Sequence, residues 1–134
     1  MAQNLSESMK IYSEIDIVNA RIRARMIAES IGFSYMDQTR IATAVSELTR
    51  NAFQHAGGGS IRMSSVEDGM KRGIEIVVED QGPGIADLEN ALKGGQSTVG
   101  GLGLGLSGSK RLMDEFDIQT KVGEGTKVTI RKWL

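Results

Sequence analysis

The sequence of 134 residues has no cysteine and one histidine, His55. The lack of cysteine excludes disulfides and thiolate metal sites, and the presence of only one histidine excludes any site that needs two imidazoles. No apolar run approaches the length of a membrane span and no signal-peptide pattern opens the chain, so we expect a cytoplasmic protein without a membrane partner. A formal net charge of −1 provides no general attraction to nucleic acid.

The composition that remains is typical of a globular domain. Hydrophobic residues make up 40% of the chain and charged residues 25%. A chain of this length buries roughly two-thirds of the surface that it exposes when unfolded. Because neither a repeat nor a linker divides the sequence, residues 1–134 are predicted to form a single domain.

Helical spacing of apolar residues dominates the first half of the chain. After β character in "MKIYSEI", the pattern becomes helical at Asp16 and ends at Gly32. A second helix is predicted from an N-cap at Ser34, with Asp37 three residues later, to the glycines at 57–59. Its apolar stripe predicts a buried face made of Ile41, Val45, Leu48 and Ala52.

Strand patterns dominate the second half. A turn at Asp68-Gly69 is predicted to join two strands, "SIRMSSVE" and "GIEIVVED". A second predicted hairpin consists of the strands "DIQTKV" and "TKVTIRKW", joined by "GEG". Between these pairs we predict a short helix over residues 87–92 and another through "SGSKRLMDEF". Early helices and late strands are typical of an α+β sandwich, in which a mixed, mostly antiparallel sheet carries helices on one face.

Glycine alternates with leucine in "GLGLGL" at residues 101–106, which indicates a phosphate site. Residues 103–108 match the dinucleotide fingerprint, but the strand that the fingerprint requires is replaced by the loop-like "KGGQSTVG". The phosphate-binding P-loop also fails, because Lys110 comes one place late and Arg111 stands where serine or threonine is required. A flexible linker is a poor alternative, since linkers are rich in serine rather than leucine.

Four short motifs, together and in this order, resemble the nucleotide-binding boxes of the GHKL ATPases, a family that includes gyrase B, the heat-shock chaperones, MutL and the histidine kinases. Taken singly, they also fit a helix surface, a strand exit, a loop and a hairpin turn. The resemblance implies the Bergerat fold, a two-layer α/β sandwich, and within the family it points to the bacterial serine kinases of the anti-sigma type. The motifs are Glu47-x-x-x-Asn51, Asp80-x-Gly82-x-Gly84, Gly101-x-Gly103-x-Gly105 and Gly123-x-Gly125-Thr126.

The resemblance assigns roles to the charged and amide side chains of these motifs. Asn51 would bind Mg²⁺ and, through it, the phosphates of ATP, because an amide oxygen is a hard ligand. Glu47, one helical turn earlier, would accept the proton of an attacking hydroxyl. Asp80 would accept a hydrogen bond from the exocyclic amine of adenine, where guanine presents a carbonyl oxygen.

The remaining predicted site residues belong to the glycine-rich motifs. Gly82 and Gly84 would let the backbone approach the base, and Thr126 would support the adenine pocket. Backbone N–H groups of a lid loop leading into a helix would wrap the phosphates, with interleaved leucines anchoring the lid on the core. The lid residues are Gly101, Leu102, Gly103, Leu104 and Gly105.

The resemblance implies a protein serine/threonine kinase that uses Mg²⁺ and ATP. Its substrates would be STAS-domain scaffold proteins of a stressosome, and after release it would activate an output protein such as a PP2C-type phosphatase. The alternative is an anti-sigma factor kinase that sequesters a sigma factor and phosphorylates a STAS-domain antagonist. His55 is interpreted as a structural or surface residue, because it lies on the nucleotide-binding helix and alanine follows it.

Overall fold

Five antiparallel strands form one sheet, and the helices lie on one of its faces. The computed structural model describes residues 5–85 and 102–134. In the sheet the strand order is β1-β2-β3-β5-β4. The elements are β1 (Ser6–Ile11), α1 (Glu14–Ile31), α2 (Tyr35–Ala56), β2 (Gly59–Asp68), β3 (Lys71–Asp80), α3 (Leu102–Leu112), β4 (Glu115–Lys121) and β5 (Gly125–Trp133).

The sheet confirms the predicted α+β class with helices on one face. All four pairings between described strands are antiparallel. No parallel pair occurs among them. Strand β5 lies between β3 and β4, so those two strands are not neighbours. Helices α1 and α2 connect the end of β1 to the start of β2 at the same end of the sheet, so these two strands are antiparallel. The turn predicted at Asp68-Gly69 joins β2 to β3, where Gly69 has a φ of 63°.

Serine and glycine delimit the first two helices. The Ser13 hydroxyl accepts the N–H of Asp16, so α1 begins at Glu14, two residues before the predicted start. As predicted, the Ser34 hydroxyl accepts the N–H of Asp37 at the start of α2. Gly32 ends α1 in the left-handed conformation, with a φ of 117°.

The core lies between the sheet and the inner faces of α1 and α2. On β3, alternate residues point to this side, and Ile74, Ile76 and Val78 are buried there. All four residues of the stripe predicted for α2 are buried against them. At about 1.5–3 kcal/mol for each large aliphatic side chain, this contact fixes the position of α2 over the sheet.

Helix α3 begins earlier and ends earlier than the sequence predicts. It starts at Leu102 rather than in "SGSKRLMDEF", so residues 102–105 are helical and the prediction of a loop there was wrong. Burial of Leu106 against the core offsets the cost of helical glycines, roughly 0.5–1 kcal/mol each. The helix ends at Leu112 because Asp114 joins the sheet edge, where its N–H donates to the Arg131 carbonyl over 2.9 Å.

The helix predicted over residues 87–92 and the glycine at position 101 lie outside the described residues. Within residues 5–85 and 102–134, the helices lack the combination of length and apolar character that crossing a bilayer requires.

Candidate functional site

A pocket opens where the C-terminal half of α2 meets the end of β3, the start of β5 and α3. Its empty volume, including the open mouth, is about 440 Å³. Most of its wall is apolar, and four polar side chains interrupt that wall. The polar residues are Asn51, His55, Asp80 and Thr126, and the apolar ones include Leu48, Ala52, Val78, Ile85, Leu106 and Val128.

Helix α2 supplies the polar wall through residues spaced by four. Asn51 and His55 both line the pocket because side chains four residues apart lie on one helical face. Glu47 lies one turn before Asn51, at the rim, with 41% of its side chain exposed. Its Oε1 is 4.0 Å from a guanidinium nitrogen of Arg50. The predicted catalytic base and the predicted metal ligand are therefore neighbours on α2, and the Glu47 side chain is partly exposed to solvent.

Two polar atoms in the pocket wall lack partners. Nδ2 of Asn51 and Nε2 of His55 are buried, and neither has a hydrogen-bond partner among the described residues. Buried polar atoms in folded proteins are nearly always hydrogen-bonded, because an unpaired one loses its contact with water without replacement. Within residues 5–85 and 102–134, both atoms are therefore available for a hydrogen bond to a ligand in the pocket.

Asp80 ends β3 and faces Thr126 of β5 across the ladder. Its Oδ1 accepts the N–H of Gly82 over 2.9 Å. Burial raises the pKa of the Asp80 carboxyl above its ordinary value of 3.8, while hydrogen bonds from the backbone N–H groups of Gly82 and Thr126 and the nearby His55 oppose this rise. The carboxylate is held in place and partly desolvated, so an added hydrogen-bond donor would stabilise its charge.

Glycines allow the backbone to close around Asp80. A Cβ atom on Gly82 would lie 2.5 Å from the Cβ of Ala56, at the end of α2. Gly84 has a φ of 77°, and a Cβ there would lie 2.5 Å from the Lys121 carbonyl oxygen. These close contacts explain why positions 82 and 84 are glycines, since a side chain at either would collide with its neighbours. That the two glycines let the backbone approach the adenine base stays a prediction.

Thr126 belongs to a hydroxyl pair beneath the pocket. Its Oγ1 shares a hydrogen bond of 2.9 Å with Oγ1 of Thr120, its Cα partner across the β4–β5 hairpin. The Thr120 hydroxyl also accepts the N–H of Ile85 over 2.9 Å, which fixes the segment after Asp80 to the hairpin. Thr126 lines the pocket as predicted, and Thr120 supports it from behind.

Sequence reasoning missed two of these residues. His55 was interpreted as structural or surface, whereas it lines the pocket. Its spacing of four from Asn51, equal to the spacing between Glu47 and Asn51, could have identified it. Thr120 could have been found from its register opposite Thr126 in a tight hairpin.

The start of α3 adjoins the pocket through Leu106. Leu102, Gly103, Leu104 and Gly105 form its first turns, where backbone N–H groups have no partners within the helix and the helix dipole is positive. Such an end suits a phosphate, although the lid was predicted as a loop. Within the described ranges, no three histidine, aspartate or glutamate side chains are grouped to hold a metal.

The chain is similar to known proteins over most of its length. The family described as histidine kinase-, DNA gyrase B- and HSP90-like ATPase matches residues 36–134. Serine/threonine-protein kinase RsbT of Bacillus subtilis is 49% identical over 131 residues, which cover 98% of each chain. Serine-protein kinase RsbW of Bacillus licheniformis is 35% identical, covering 85% of this chain and 76% of RsbW. An anti-sigma F factor from a Geobacillus species is 30% identical, with coverage of 86% and 82%.

Solved structures share the fold at low sequence identity. The mycobacterial sensor histidine kinase MprB superposes with a TM-score of 0.59 at 18% identity, covering 96% of this chain and 97% of that one. A chain of the SiaB-SiaC complex from Pseudomonas aeruginosa gives 0.59 at 12% identity, with coverage of 97% and 89%. The described sheet, the pocket and the match over residues 36–134 agree, and the chain belongs to the family of histidine kinase-, DNA gyrase B- and HSP90-like ATPases, the GHKL family.

Proposed function

We propose that the chain is an ATP-dependent protein serine/threonine kinase that phosphorylates STAS-domain scaffold proteins of a stressosome. After release from the scaffold it would bind and activate an output protein such as a PP2C-type phosphatase. The observation that carries the chemistry is one pocket lined both by a partly desolvated carboxylate, Asp80, and by the Asn51 amide, whose Nδ2 has no partner among the described residues. The identity to RsbT supports the kinase activity.

Asp80 would select the base. Its carboxylate accepts hydrogen bonds and donates none when ionised, so it favours the exocyclic amine of adenine over the carbonyl oxygen of guanine. The N–H of Gly82 holds the carboxylate in position before any ligand arrives. The apolar wall beside it, with Val78 and Ile85, suits the faces of a purine ring.

Asn51 would bind Mg²⁺ with its amide oxygen. The amide fits this role because it lines the pocket and its buried Nδ2 has no partner among the described residues. Magnesium usually takes one or two protein ligands and completes its shell with water and phosphate oxygens. When bound, Mg²⁺ neutralises part of the negative charge of the triphosphate.

Glu47 would accept the proton of the attacking serine or threonine hydroxyl. As that proton moves to the carboxylate, the hydroxyl oxygen bonds to the γ-phosphorus and the bond to the leaving ADP oxygen breaks. The exposed position of Glu47 at the rim suits this role, since a protein substrate must reach it from outside. N–H groups at the start of α3 would bind the phosphates from the opposite side.

The relationship to anti-sigma factors supports a second candidate function. In that alternative, the same pocket would bind ATP while the protein sequesters a sigma factor and phosphorylates a STAS-domain antagonist. The anti-sigma F factors and RsbW proteins among the relatives are 30–36% identical to the chain, compared with 49% for RsbT. The lower identity makes the anti-sigma function the second choice.

A transfer assay combined with a capture experiment separates the two functions. Purified protein is incubated with radiolabelled ATP, Mg²⁺ and a STAS-domain scaffold protein from the same host, and capture from host lysate identifies bound proteins. The kinase proposal requires labelled scaffold and capture of STAS proteins without a sigma factor. Tight capture of a sigma factor, with no label on the scaffold, would favour the alternative. Absence of ATP binding in a folded protein would contradict both.

A further inference from the structure

Lys132 is a nearly buried cation at the end of α3. It alternates along β5 with Val128 and Ile130, which are buried beneath the helices, so its side chain points to the same side of the sheet. Only 11% of that side chain is exposed. Its Nζ donates a hydrogen bond of 3.2 Å to the carbonyl oxygen of Leu112, the last residue of α3. Burying an ammonium group costs free energy unless partners replace its water, so these partners fix where the group lies.

Two carboxylates lie close to the same ammonium group. Oδ1 of Asp114, two residues after α3, is 3.8 Å from Nζ, and Oδ1 of Asp37, in the first turn of α2, is 3.9 Å from it. Each carboxylate is itself held in place. Asp37 accepts a hydrogen bond of 2.8 Å from Arg40, and Asp114 accepts the N–H of Trp133 over 2.8 Å. One cation thus connects the start of α2, the end of α3 and the sheet.

The two helices that this cation connects meet again at the pocket. Leu48 and Asn51 of α2 line the pocket, and so does Leu106 of α3. The start of α2 therefore lies near the end of α3, and the later part of α2 lies near the first half of α3. Helix α3 rises about 15 Å over its 11 residues, and a helix moves as a rigid element. The position of its end therefore determines where its start lies relative to Asn51.

Stabilising α3 alone would not require this arrangement. A lysine near the C-terminal end of a helix binds carbonyl oxygens that have no partner within the helix, and this contact is complete with Leu112. The additional carboxylate from α2, Asp37, ties the helix to the other helix of the pocket. The helix that is fixed in this way is also the one whose first N–H groups adjoin the pocket.

We propose that Lys132 is a positioning residue for phosphate binding, which holds the end of α3 against the start of α2 and thereby places the N–H groups at the start of α3 beside the pocket. This inference rests on the proposed binding of ATP and assigns no contact between Lys132 and the nucleotide. Adenosine lacks the phosphates that α3 would bind. Loss of Lys132 should therefore weaken ATP and leave adenosine nearly unchanged.

The readout is the affinity ratio, defined as the affinity for ATP with Mg²⁺ divided by the affinity for adenosine. Lys132→Met removes the charge and the donor and keeps an unbranched side chain. If α3 is then correctly placed in about one molecule in ten, the affinity ratio falls about tenfold. Lys132→Arg keeps the charge and a donor and should restore most of the ratio. Calorimetry measures ATP, and displacement of a fluorescent ATP analogue measures adenosine.

Arg131→Met is the matched control. Arg131 precedes Lys132 on β5, so its side chain lies on the other face of the sheet, where it pairs with Glu75 over 2.7 Å and with Glu115 over 3.1 Å. Its loss removes ion pairs without removing a side chain that contacts α3. Urea denaturation measures the free energy of unfolding of both variants. We expect Arg131→Met to lose stability and to keep the wild-type affinity ratio.

Each outcome of these measurements has a defined meaning. A reduced affinity ratio in folded Lys132→Met protein, with the wild-type ratio in Arg131→Met, supports the inference. Equal losses for ATP and adenosine overturn it, and so does an unchanged ratio, because the lysine would then act on stability alone. A reduction of the same size in Arg131→Met also overturns it.

A second variant covers the case in which Lys132→Met fails to fold. Lys132→Gln keeps a neutral donor, and its affinity ratio then decides in the same way, with a reduced ratio in support and a wild-type ratio against. Failure of wild-type protein to bind ATP would contradict the proposed function itself. Wild-type protein that binds ATP, together with an unchanged ratio in the Lys132 variants, would overturn this inference alone.

Discussion

Asp80 and Thr126 face each other across the β3–β5 ladder, and the Asp80 carboxylate accepts the N–H of Gly82 just beyond the end of β3. The proposed base-recognition group therefore lies on a strand within the sheet rather than on a loop. Gly125 permits this contact, because a Cβ there would collide with the Asp80 carbonyl oxygen. Groups placed in this way keep their geometry in the absence of ligand, which lowers the entropic cost of binding.

Asp80→Asn should abolish most ATP binding while the protein stays folded. The amide offers a donor where the adenine amine needs an acceptor, and a site built for one hydrogen-bond pattern rejects mismatches by up to about 10⁴–10⁵. Calorimetric titration with ATP measures the affinity, and thermal unfolding verifies the fold. Near-normal ATP affinity in folded Asp80→Asn protein would remove Asp80 from base recognition.

The raised pKa of Asp80 predicts a pH dependence of stability in the absence of ligand. Because the folded protein binds this proton more tightly than the unfolded chain, the contribution of Asp80 to stability is greatest below pH 3.8 and falls as pH rises through the folded pKa. The free energy of unfolding of wild type, relative to Asp80→Asn, should therefore decrease from acid to neutral pH. Urea denaturation of both proteins over this range measures it, and a difference that rises with pH would contradict the prediction.

Glu47→Ala should separate binding from transfer. Loss of a positioned base lowers phosphoryl transfer by about 10²–10⁴, while ATP affinity and partner binding survive because the side chain lies at the rim. Label transfer to the STAS-domain protein and calorimetry are measured on the same sample. The matched control is Glu29→Ala on the exposed side of α1, which should transfer at the wild-type rate. Wild-type transfer by Glu47→Ala would exclude Glu47 as the base.

Asn51→Ala should weaken ATP binding and transfer together, and only when Mg²⁺ is present. The variant removes the proposed metal ligand, so its ATP affinity should fall below that of wild type with Mg²⁺ and equal it when the metal is chelated. Titrations with and without chelator measure this difference. A loss of the same size in both conditions would indicate that Asn51 contacts the nucleotide directly.

Gly82→Ala and Gly108→Ala should change stability in opposite directions. The added Cβ at position 82 would meet Ala56, so we expect a loss of about 1–3 kcal/mol in the free energy of unfolding. At position 108 in α3 nothing lies within 4 Å of the new Cβ, and the variant should gain about 0.4–1 kcal/mol. Denaturant unfolding measures both changes, and equal effects would contradict the packing interpretation.

Local chemistry made much of the fold predictable. Helix ends and buried helix faces depend on residues a few positions apart, so they can be predicted from the sequence. The serine caps, Gly32 and the apolar stripe of α2 are examples. The start of α3 was missed because glycine disfavours a helix locally, whereas burial of Leu106 against distant residues stabilises one. Propensity alone has no information about such contacts.

The motif residues of the candidate site were predictable from the sequence, whereas the residues that join them in space were not. Asn51, Asp80 and Thr126 line one pocket, as the resemblance implied. The position of His55 in the pocket wall was not predicted, because its neighbour in sequence, Ala56, says nothing about the strand end that lies beside it in space. Thr120 acts only through hydrogen bonds to Thr126 and Ile85, so its role depends on the register of the hairpin.

The placement of three polar residues on one unbroken helix has a consequence for regulation. From Glu47 to His55, α2 rises about 12 Å, a length comparable to that of an extended nucleotide. The same helix carries the buried stripe of the core, so its inner and outer faces cannot move independently. A docking protein therefore cannot alter the spacing among these groups without unpacking the domain. We expect partners to control this enzyme by governing what enters and leaves the pocket, and not by deforming it.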